Sequence, residues 1–132
     1  MQLIKSLGLR SITFQTKAEV KGFLDELRLE YSHSGFIDKD PICIPHLFTQ
    51  KQDIEIAGFM ASSFAWGQRV TIINKAKEFI QGMDNDPFNF VKEASNSEIE
   101  RFKTFKHRTF NGDDAIAFLR FLKGIYSGYD SM

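Results

Sequence analysis

Apolar residues recur at helical spacing along most of this 132-residue chain. The clearest stretch, residues 53–80, predicts two helices that meet at Trp66-Gly67, with Gly67 ending the first of them near Trp66. Another helix is predicted from Asn111 almost to the end of the sequence. The expected buried faces are Ile54, Ala57, Ala61 and Phe64 with Met60 beside them; Val70, Ile73, Ala76, Phe79 and Ile80; and Ile116, Leu119, Leu122, Ile125 and Tyr126.

Local capping signals predict where the helices begin. Thr16 and Glu19 fit a capping box, in which a hydroxyl and a carboxylate each bond a free backbone amide. Residues 49–52 repeat this pattern. Three later starts are predicted at Asp86-Pro87, where the carboxylate caps and proline loses no hydrogen bond, at Ser97 and at Asn111.

The remaining segments complete the predicted fold. Pro41 and Pro45 exclude a regular helix and favour an extended crossing segment that packs through Ile42 and Ile44. The chain then has about six helices and no convincing alternating strand, which predicts an all-α orthogonal bundle. Residues 1–15 are ambiguous between a short strand and a disordered lead segment. Residues 16–132 are predicted to form a single helical domain.

Composition narrows the possible partners. Seventeen basic residues balance seventeen acidic ones, which excludes a uniformly basic nucleic-acid coat but leaves room for a local basic patch. The single cysteine excludes an intramolecular disulfide and favours a cytoplasmic protein. No apolar run approaches the roughly 20 residues of a membrane helix, so we expect no membrane partner.

A short basic segment is the main candidate for binding chemistry. Residues 103–110 alternate cations with aromatic and hydroxyl side chains just before a helix start, a combination that suits phosphate groups. The lone tryptophan, beside a polar turn, is suited to stack on a base. The candidate nucleic-acid-binding residues are Trp66, Arg69, Lys103, Lys106 and Arg108. The competing interpretation is a solvated loop anchored by Phe105 and Phe110, with Arg108 paired to Asp113 or Asp114 and Trp66 closing the helix turn.

Metal and catalytic sites have weaker support. Cys43 and His46 form a C-x-x-H pattern, but a structural zinc site needs four ligands and no second Cys/His pair occurs. We therefore predict no metal and no cofactor. Ser62 and Ser63 lie within a predicted helix, and the chain has neither a G-x-S-x-G elbow nor a P-loop. No complete catalytic constellation is present, which leaves enzyme activity undecided.

Three segments, residues 40–46, 53–80 and 107–114, together resemble the signature segments of an uncharacterised bacterial family, domain of unknown function 2400. The similarity covers most of the chain from Thr16 onward. Cys43 departs from the serine expected at this position in the family. Family members are longer, so the resemblance implies that this chain is an N-terminal portion of a longer domain.

A more distant resemblance connects residues 53–88 with the early helices of helix-hairpin-helix DNA glycosylases. It places Asn74 and Lys75 where those enzymes have an asparagine- and lysine-bearing helix. It implies a helical fold and a link to DNA base-excision repair. The glycine-rich hairpin and catalytic aspartate of those enzymes are not found in these residues, so no catalytic residue is carried over.

We therefore expect a cytoplasmic helical domain that binds DNA or another nucleic acid and is related to base-excision repair proteins. The alternative is a structural or protein-interaction module without a DNA role. It is suggested by the last predicted helix, which stays apolar up to Tyr126 and Tyr129. Such a face would bury against a copy of the chain or a missing C-terminal domain.

Overall fold

The structure, a computed structural model, describes residues 13–132. Its α-helices are α1 (Lys17–Tyr31), α2 (Ser34–Ile37), α3 (Lys51–Ser63), α4 (Arg69–Gly82), α5 (Pro87–Glu93), α6 (Asn96–Glu100) and α7 (Gly112–Gly128). Short 3-10 helices cover Pro41–Cys43, Pro45–Leu47 and Arg101–Thr104. Residues 13–132 contain no β-strand, only an isolated bridge between His107 and Phe110. The prediction of an all-α fold is confirmed. None of these helices has the length and apolar character needed to cross a bilayer.

The chain divides into two compact units, and the boundary falls between Phe36 and Ile37. In the first unit Thr16 caps α1 through the predicted box, in which Thr16 Oγ1 accepts from Glu19 N and the Glu19 carboxylate accepts from Thr16 N. No residue of α1 is buried. The predicted lead segment lies outside the described residues except for residues 13–15, which are neither helix nor strand. The single domain over residues 16–132 stays a prediction.

Aromatic rings form the centre of the second unit, Ile37–Met132. The buried rings of Phe64 and Phe79 meet edge to face with centroids 5.5 Å apart. Phe79 also lies 4.7 Å from Phe102 and 5.0 Å from Phe105. Such pairs contribute about 0.5–1.5 kcal/mol beyond the area they bury. The stripe predicted for the last helix joins this core: Ile116, Leu119, Leu122 and Tyr126 are buried, and Ile125 is partly buried.

The buried faces of α3 and α4 each differ from the prediction at one position. Ile54 and Val70 are 40% and 70% exposed, and Ile56 and Ile72 are buried instead. Residues two apart lie on nearly opposite sides of a helix, so an apolar residue at both positions leaves the choice to tertiary packing. The other predicted positions, Ala57, Met60, Ala61, Phe64, Ala76, Phe79 and Ile80, are buried, and Ile73 is partly buried.

The capping differs from the prediction at three helix starts, although α5 begins at Pro87 after Asp86 as predicted. Gln50 is the N-cap of α3 and provides no side-chain bond, so the box over residues 49–52 does not form. Ser95 rather than Ser97 caps α6. The Asp86 carboxylate accepts from Asn89 Nδ2 and makes no capping bond to α5.

The proline segment forms two 3-10 helices rather than the predicted extended crossing segment. Asp40 is extended, and its carboxylate accepts from Ile42 N at 3.1 Å. Ile44, however, has helical backbone angles before Pro45. Each proline takes the first helical position, where its missing N–H costs no bond. Ile44 is buried as predicted, whereas Ile42 is exposed.

Glu55 of α3 bonds both the last turns of α7 and the residues that follow it. Its carboxylate accepts from Tyr126 Oη at 3.0 Å, from Ser131 Oγ at 2.5 Å and from Met132 N at 3.1 Å. These bonds, that of Ser131 first, hold the pKa of Glu55 below its usual value. Tyr126 is thus buried at a polar contact, whereas Tyr129 is exposed.

Asp53 of α3 caps α5 across the bundle. It is only 7% exposed, and its Oδ1 accepts from Phe88 N at 2.8 Å. The first amides of a helix have no partner within the helix, and a negative charge there is favoured by the helix dipole. A residue 35 positions away therefore performs the capping role that the sequence suggests for Asp86.

We expect Asp53→Ala to lower the free energy of unfolding by about 1.5–3 kcal/mol, because a charged acceptor is lost and the Phe88 amide keeps no partner. Asp53→Asn retains an acceptor oxygen and should cost less. Asp86→Ala, at an exposed residue, should change stability by less than about 0.5 kcal/mol. Urea unfolding followed by circular dichroism measures all three, and equal losses for the two alanine variants would contradict this assignment.

Gly112, the first residue of α7, is required by a close backbone approach. The predicted cap Asn111 is confirmed, since its Oδ1 accepts from Asp113 N and Asp114 N. A Cβ on Gly112 would lie 1.9 Å from the backbone oxygen of Lys103, on the 3-10 helix Arg101–Thr104. Only glycine allows α7 to begin this close to that segment.

Gly112→Ala should therefore destabilise the protein by about 2–3 kcal/mol, because backbone must move to admit the methyl group. Gly124→Ala is the matched control in the same helix. A Cβ there meets nothing within 4 Å, and replacing a helix-interior glycine should stabilise by up to about 1 kcal/mol. Thermal unfolding should shift in opposite directions for the two variants; a shift of the same sign would refute the close contact.

Candidate nucleic-acid interface

The end of α3 is tied to the loop before α7 through one carbonyl group. α3 ends at Ser63, three residues before the predicted end at Trp66. The Phe64 carbonyl that follows accepts from Trp66 N at 2.7 Å and bonds His107 Nε2 at 3.0 Å. Because a carbonyl oxygen only accepts, this Nε2 carries the hydrogen. His107 is 2% exposed, so this buried hydrogen bond connects the loop to the end of α3.

The loop turns sharply after His107. The backbone groups of His107 and Phe110 exchange hydrogen bonds of 2.8 and 2.9 Å, which enclose Arg108 and Thr109. Arg108 has a φ of 54°, in the left-handed region that residues other than glycine rarely occupy. Such a conformation costs about 1–3 kcal/mol and persists only where the surroundings impose it. The histidine is buried and the arginine is exposed.

Arg108 lies over the ring of Trp66. Its Cζ is 5.7 Å from the ring centroid, within the range of a cation–π contact. Gly67 permits this approach: it has a φ of 118°, and a Cβ there would lie 2.5 Å from Arg108 Nη2. Trp66 remains 42% exposed and meets the His107 ring edge-on at 6.1 Å. We call Trp66, Gly67, His107 and Arg108 the Trp66 corner.

The candidate cations differ in whether a carboxylate neutralises them. Lys103 is paired with Asp113, and this bond holds the pKa of Lys103 above its usual value. Arg69, the first residue of α4, and Lys106, the residue before His107, are both exposed. Neither forms a side-chain hydrogen bond or ion pair within residues 13–132. Three of the five candidates are therefore not brought into contact with the Trp66 ring.

Arg108 also has no ion pair within the described residues. The competing interpretation pairs it with one of two acids, but each acid is engaged elsewhere. Asp113 bonds Lys103, and the Asp114 carboxylate accepts from Asn111 N in the cap of α7. The guanidinium of Arg108 therefore contacts an aromatic face instead of a carboxylate.

A cleft of about 500 Å³ adjoins the corner, with Gly67 in its lining. Its walls come from the proline segment, the face of α3 that carries small residues, and the start of α4. Asp40 and Arg69 are its charged lining residues. The corner and the cleft thus share the turn between α3 and α4.

Cys43 and His46 lack the further ligands that a metal site needs within residues 13–132. Nowhere in residues 13–132 do three His, Cys, Asp or Glu side chains gather in a way that could hold a metal ion. Cys43 is partly buried, and burial raises the pKa of its thiol, opposed by the charge of Lys77. A thiol with a raised pKa is a poor metal ligand and a poor nucleophile at neutral pH.

His107 is the functional position that sequence reasoning missed. The alternation of cations over residues 103–110 counts it as one more potential cation, whereas the structure buries its ring within the corner. The sequence carries one signal for this: the rings of Phe105 and His107 alternate with the cations Lys106 and Arg108. The structure buries the first pair and exposes the second. This period of two is typical of an extended segment with one buried face.

Comparison with known proteins matches residues 40–132 to a family model described as "Protein of unknown function (DUF2400)". The match includes every residue of the corner and of the cleft. No curated protein and no solved structure matches the chain. The family description names no activity, so the geometry of the corner and the cleft is the evidence for function.

The fluorescence of Trp66, the single tryptophan, tests the corner. Gly67→Ala places a methyl group against Arg108 and strains the turn, which should move the guanidinium off the ring and shift the emission to longer wavelength. Arg108→Ala should give a similar shift, because it uncovers the indole to water. Lys106→Ala, which removes a neighbouring charge without a contact to the ring, is the control. Unchanged emission in both corner variants would refute this geometry.

Proposed function

We propose that this chain, which belongs to the DUF2400 family of proteins of unknown function, binds nucleic acid through the Trp66 corner. Arg108 contacts a phosphate, and the exposed face of Trp66 stacks on a base. The observation that carries this proposal is an arginine held over an exposed tryptophan with no acidic partner in residues 13–132.

The chemistry of the corner supports this proposal. A guanidinium matches phosphate geometry with paired donors and is more weakly hydrated than an ammonium group. Within residues 13–132, Arg108 has no ion pair to break. Stacking of a base on an aromatic side chain contributes about 1–3 kcal/mol. Arg69 and Lys106 add charge without losing a partner among residues 13–132. Lys103 contributes less, because it must first leave Asp113.

The distant resemblance to helix-hairpin-helix glycosylases favours DNA among nucleic acids. The proposal is accordingly a DNA-binding helical domain of a cytoplasmic bacterial protein related to base-excision repair proteins. The described residues hold no complete catalytic constellation, so the proposed role is binding rather than chemistry. The chain is neutral overall, and three of its cations, Arg69, Lys106 and Arg108, form no ion pair within residues 13–132. This charge distribution implies weak affinity.

A titration of the full chain with a fluorescently labelled single-stranded oligonucleotide tests the proposal. With three or four phosphate contacts, the logarithm of the binding constant should fall against the logarithm of salt concentration with a slope of about −2 to −3. Arg108→Ala should weaken binding about tenfold and reduce that slope by about 0.7. Trp66→Leu should weaken binding but leave the slope unchanged.

Lys92→Ala is the control for charge alone. Lys92 lies over the ring of Phe88 at 5.6 Å, so its replacement also removes one cation from an aromatic face, but outside the corner. It should leave binding nearly unchanged. Absence of binding at low salt, or equal losses for Arg108→Ala and Lys92→Ala, would reject the proposal.

The alternative, a protein-interaction module, is favoured by a different observation. Phe59 of α3 stacks on Phe118 of α7 at 5.4 Å and lies 6.5 Å from Phe121. Phe59 and Phe121 are both exposed, and exposed apolar clusters commonly mark interaction surfaces. Failure of the chain to bind the oligonucleotide in the titration would favour this alternative.

A further inference from the structure

The cleft beside the corner has the dimensions of a small-molecule site. Its volume of about 500 Å³ falls within the range of roughly 300–1,000 Å³ that is usual for ligand pockets. Such pockets have mainly apolar walls and a few polar groups. Here Pro41, Pro45 and Ile72 supply apolar wall, and the charged groups are Asp40 and Arg69.

Close packing does not account for the glycine in the wall of this cleft. Gly58 lies within α3, where glycine destabilises a helix compared with alanine. A Cβ added there would meet only Pro45 Cβ, at 3.8 Å, an ordinary contact. Alanine would therefore fit without strain. The missing side chain of Gly58 and the methyl groups of Ala61 and Ala65 instead keep the cleft open.

The charges of Asp40 and Arg69 in the cleft favour one orientation of a bound molecule that carries an anionic group. Arg69 forms no hydrogen bond or ion pair within residues 13–132, and it begins α4, a helix of 14 residues. The N-cap Gln68 makes no side-chain bond to the first amides of that helix, so the positive end of its dipole is not capped by a side chain. Asp40 repels an anion, and one of its oxygens is already bonded to Ile42 N.

We propose that this cleft binds a small organic anion with a flat apolar body. The anionic group lies beside Arg69 and the start of α4, away from Asp40. The apolar body lies between the proline segment and the small side chains of α3. This site does not require a nucleic acid and does not rest on the proposed function of the corner.

Ser62 and Ser63 provide a matched pair of variants. Both are exposed residues of α3, and both hydroxyls donate to the Phe59 carbonyl at 2.8 Å. Ser62 lines the cleft, and Ser63 is not among its lining residues. Ser62→Leu therefore fills the cleft, whereas Ser63→Leu loses the same hydrogen bond and adds the same side chain outside it.

The test is an NMR titration of the full chain, labelled with nitrogen-15, with benzoate, phenyl phosphate and the neutral analogue benzamide. Both anions should give saturable shifts at the amides of Gly58, Gly67 and Ile72, and benzamide should bind at least tenfold more weakly. Arg69→Gln and Ser62→Leu should each weaken benzoate binding at least tenfold. Ser63→Leu should leave it unchanged.

Two further variants separate this site from its surroundings. Asp40→Asn keeps an acceptor for the Ile42 amide but removes the repelling charge, so it should strengthen benzoate binding. Trp66→Leu should leave benzoate binding unchanged. Equal binding of benzamide and benzoate, equal effects of the two serine variants, or no saturable shift at these amides would overturn the proposal. Loss of oligonucleotide binding with benzoate binding retained would reject only the function proposed for the corner.

Discussion

Phe64 is the residue on which the second unit depends most. Its ring is fully buried and lies 5.1–5.5 Å from the rings of Phe79, Phe105, His107 and Phe110. Its carbonyl oxygen is shared by the amide of the turn and the buried histidine. One residue therefore joins the aromatic core to the backbone of the corner, and the geometry of the site follows from the packing of the core.

The fold was predictable where the information is local. The cap at Asn111 and the stripe of α7 need only neighbours within one or two helical turns, and both are confirmed. The prediction failed at two local caps, residues 49–52 and Ser97, and where distant residues decide the outcome. Asp53 takes over the cap of α5 from 35 positions away. Packing also selects Ile56 over Ile54, since both are apolar and periodicity cannot rank them.

The candidate site was predictable as a set of residue types but not as an arrangement. The sequence identifies an aromatic residue and several cations near polar turns. It does not show that Arg108 reaches Trp66 across 42 positions, or that Lys103 is already paired with Asp113. Those facts depend on the approach of two turns, which the φ of Gly67 and the buried His107 make possible. Such long-range contacts leave no periodic trace in a single sequence.

The strain at Arg108 supports the binding role that we propose for the corner. Asp84 and Asn85 also have positive φ values, but they follow α4, where left-handed residues commonly end a helix and Asn and Asp tolerate that conformation. Arg108 is not at a helix end, and turn chemistry alone favours glycine or asparagine there. The cation–π contact with Trp66 stabilises the turn by about 0.5–2 kcal/mol, whereas the backbone strain at Arg108 costs about 1–3 kcal/mol. Stability alone therefore gives little reason for an arginine at this position. The proposed binding role, which needs a guanidinium beside an exposed indole, supplies that reason.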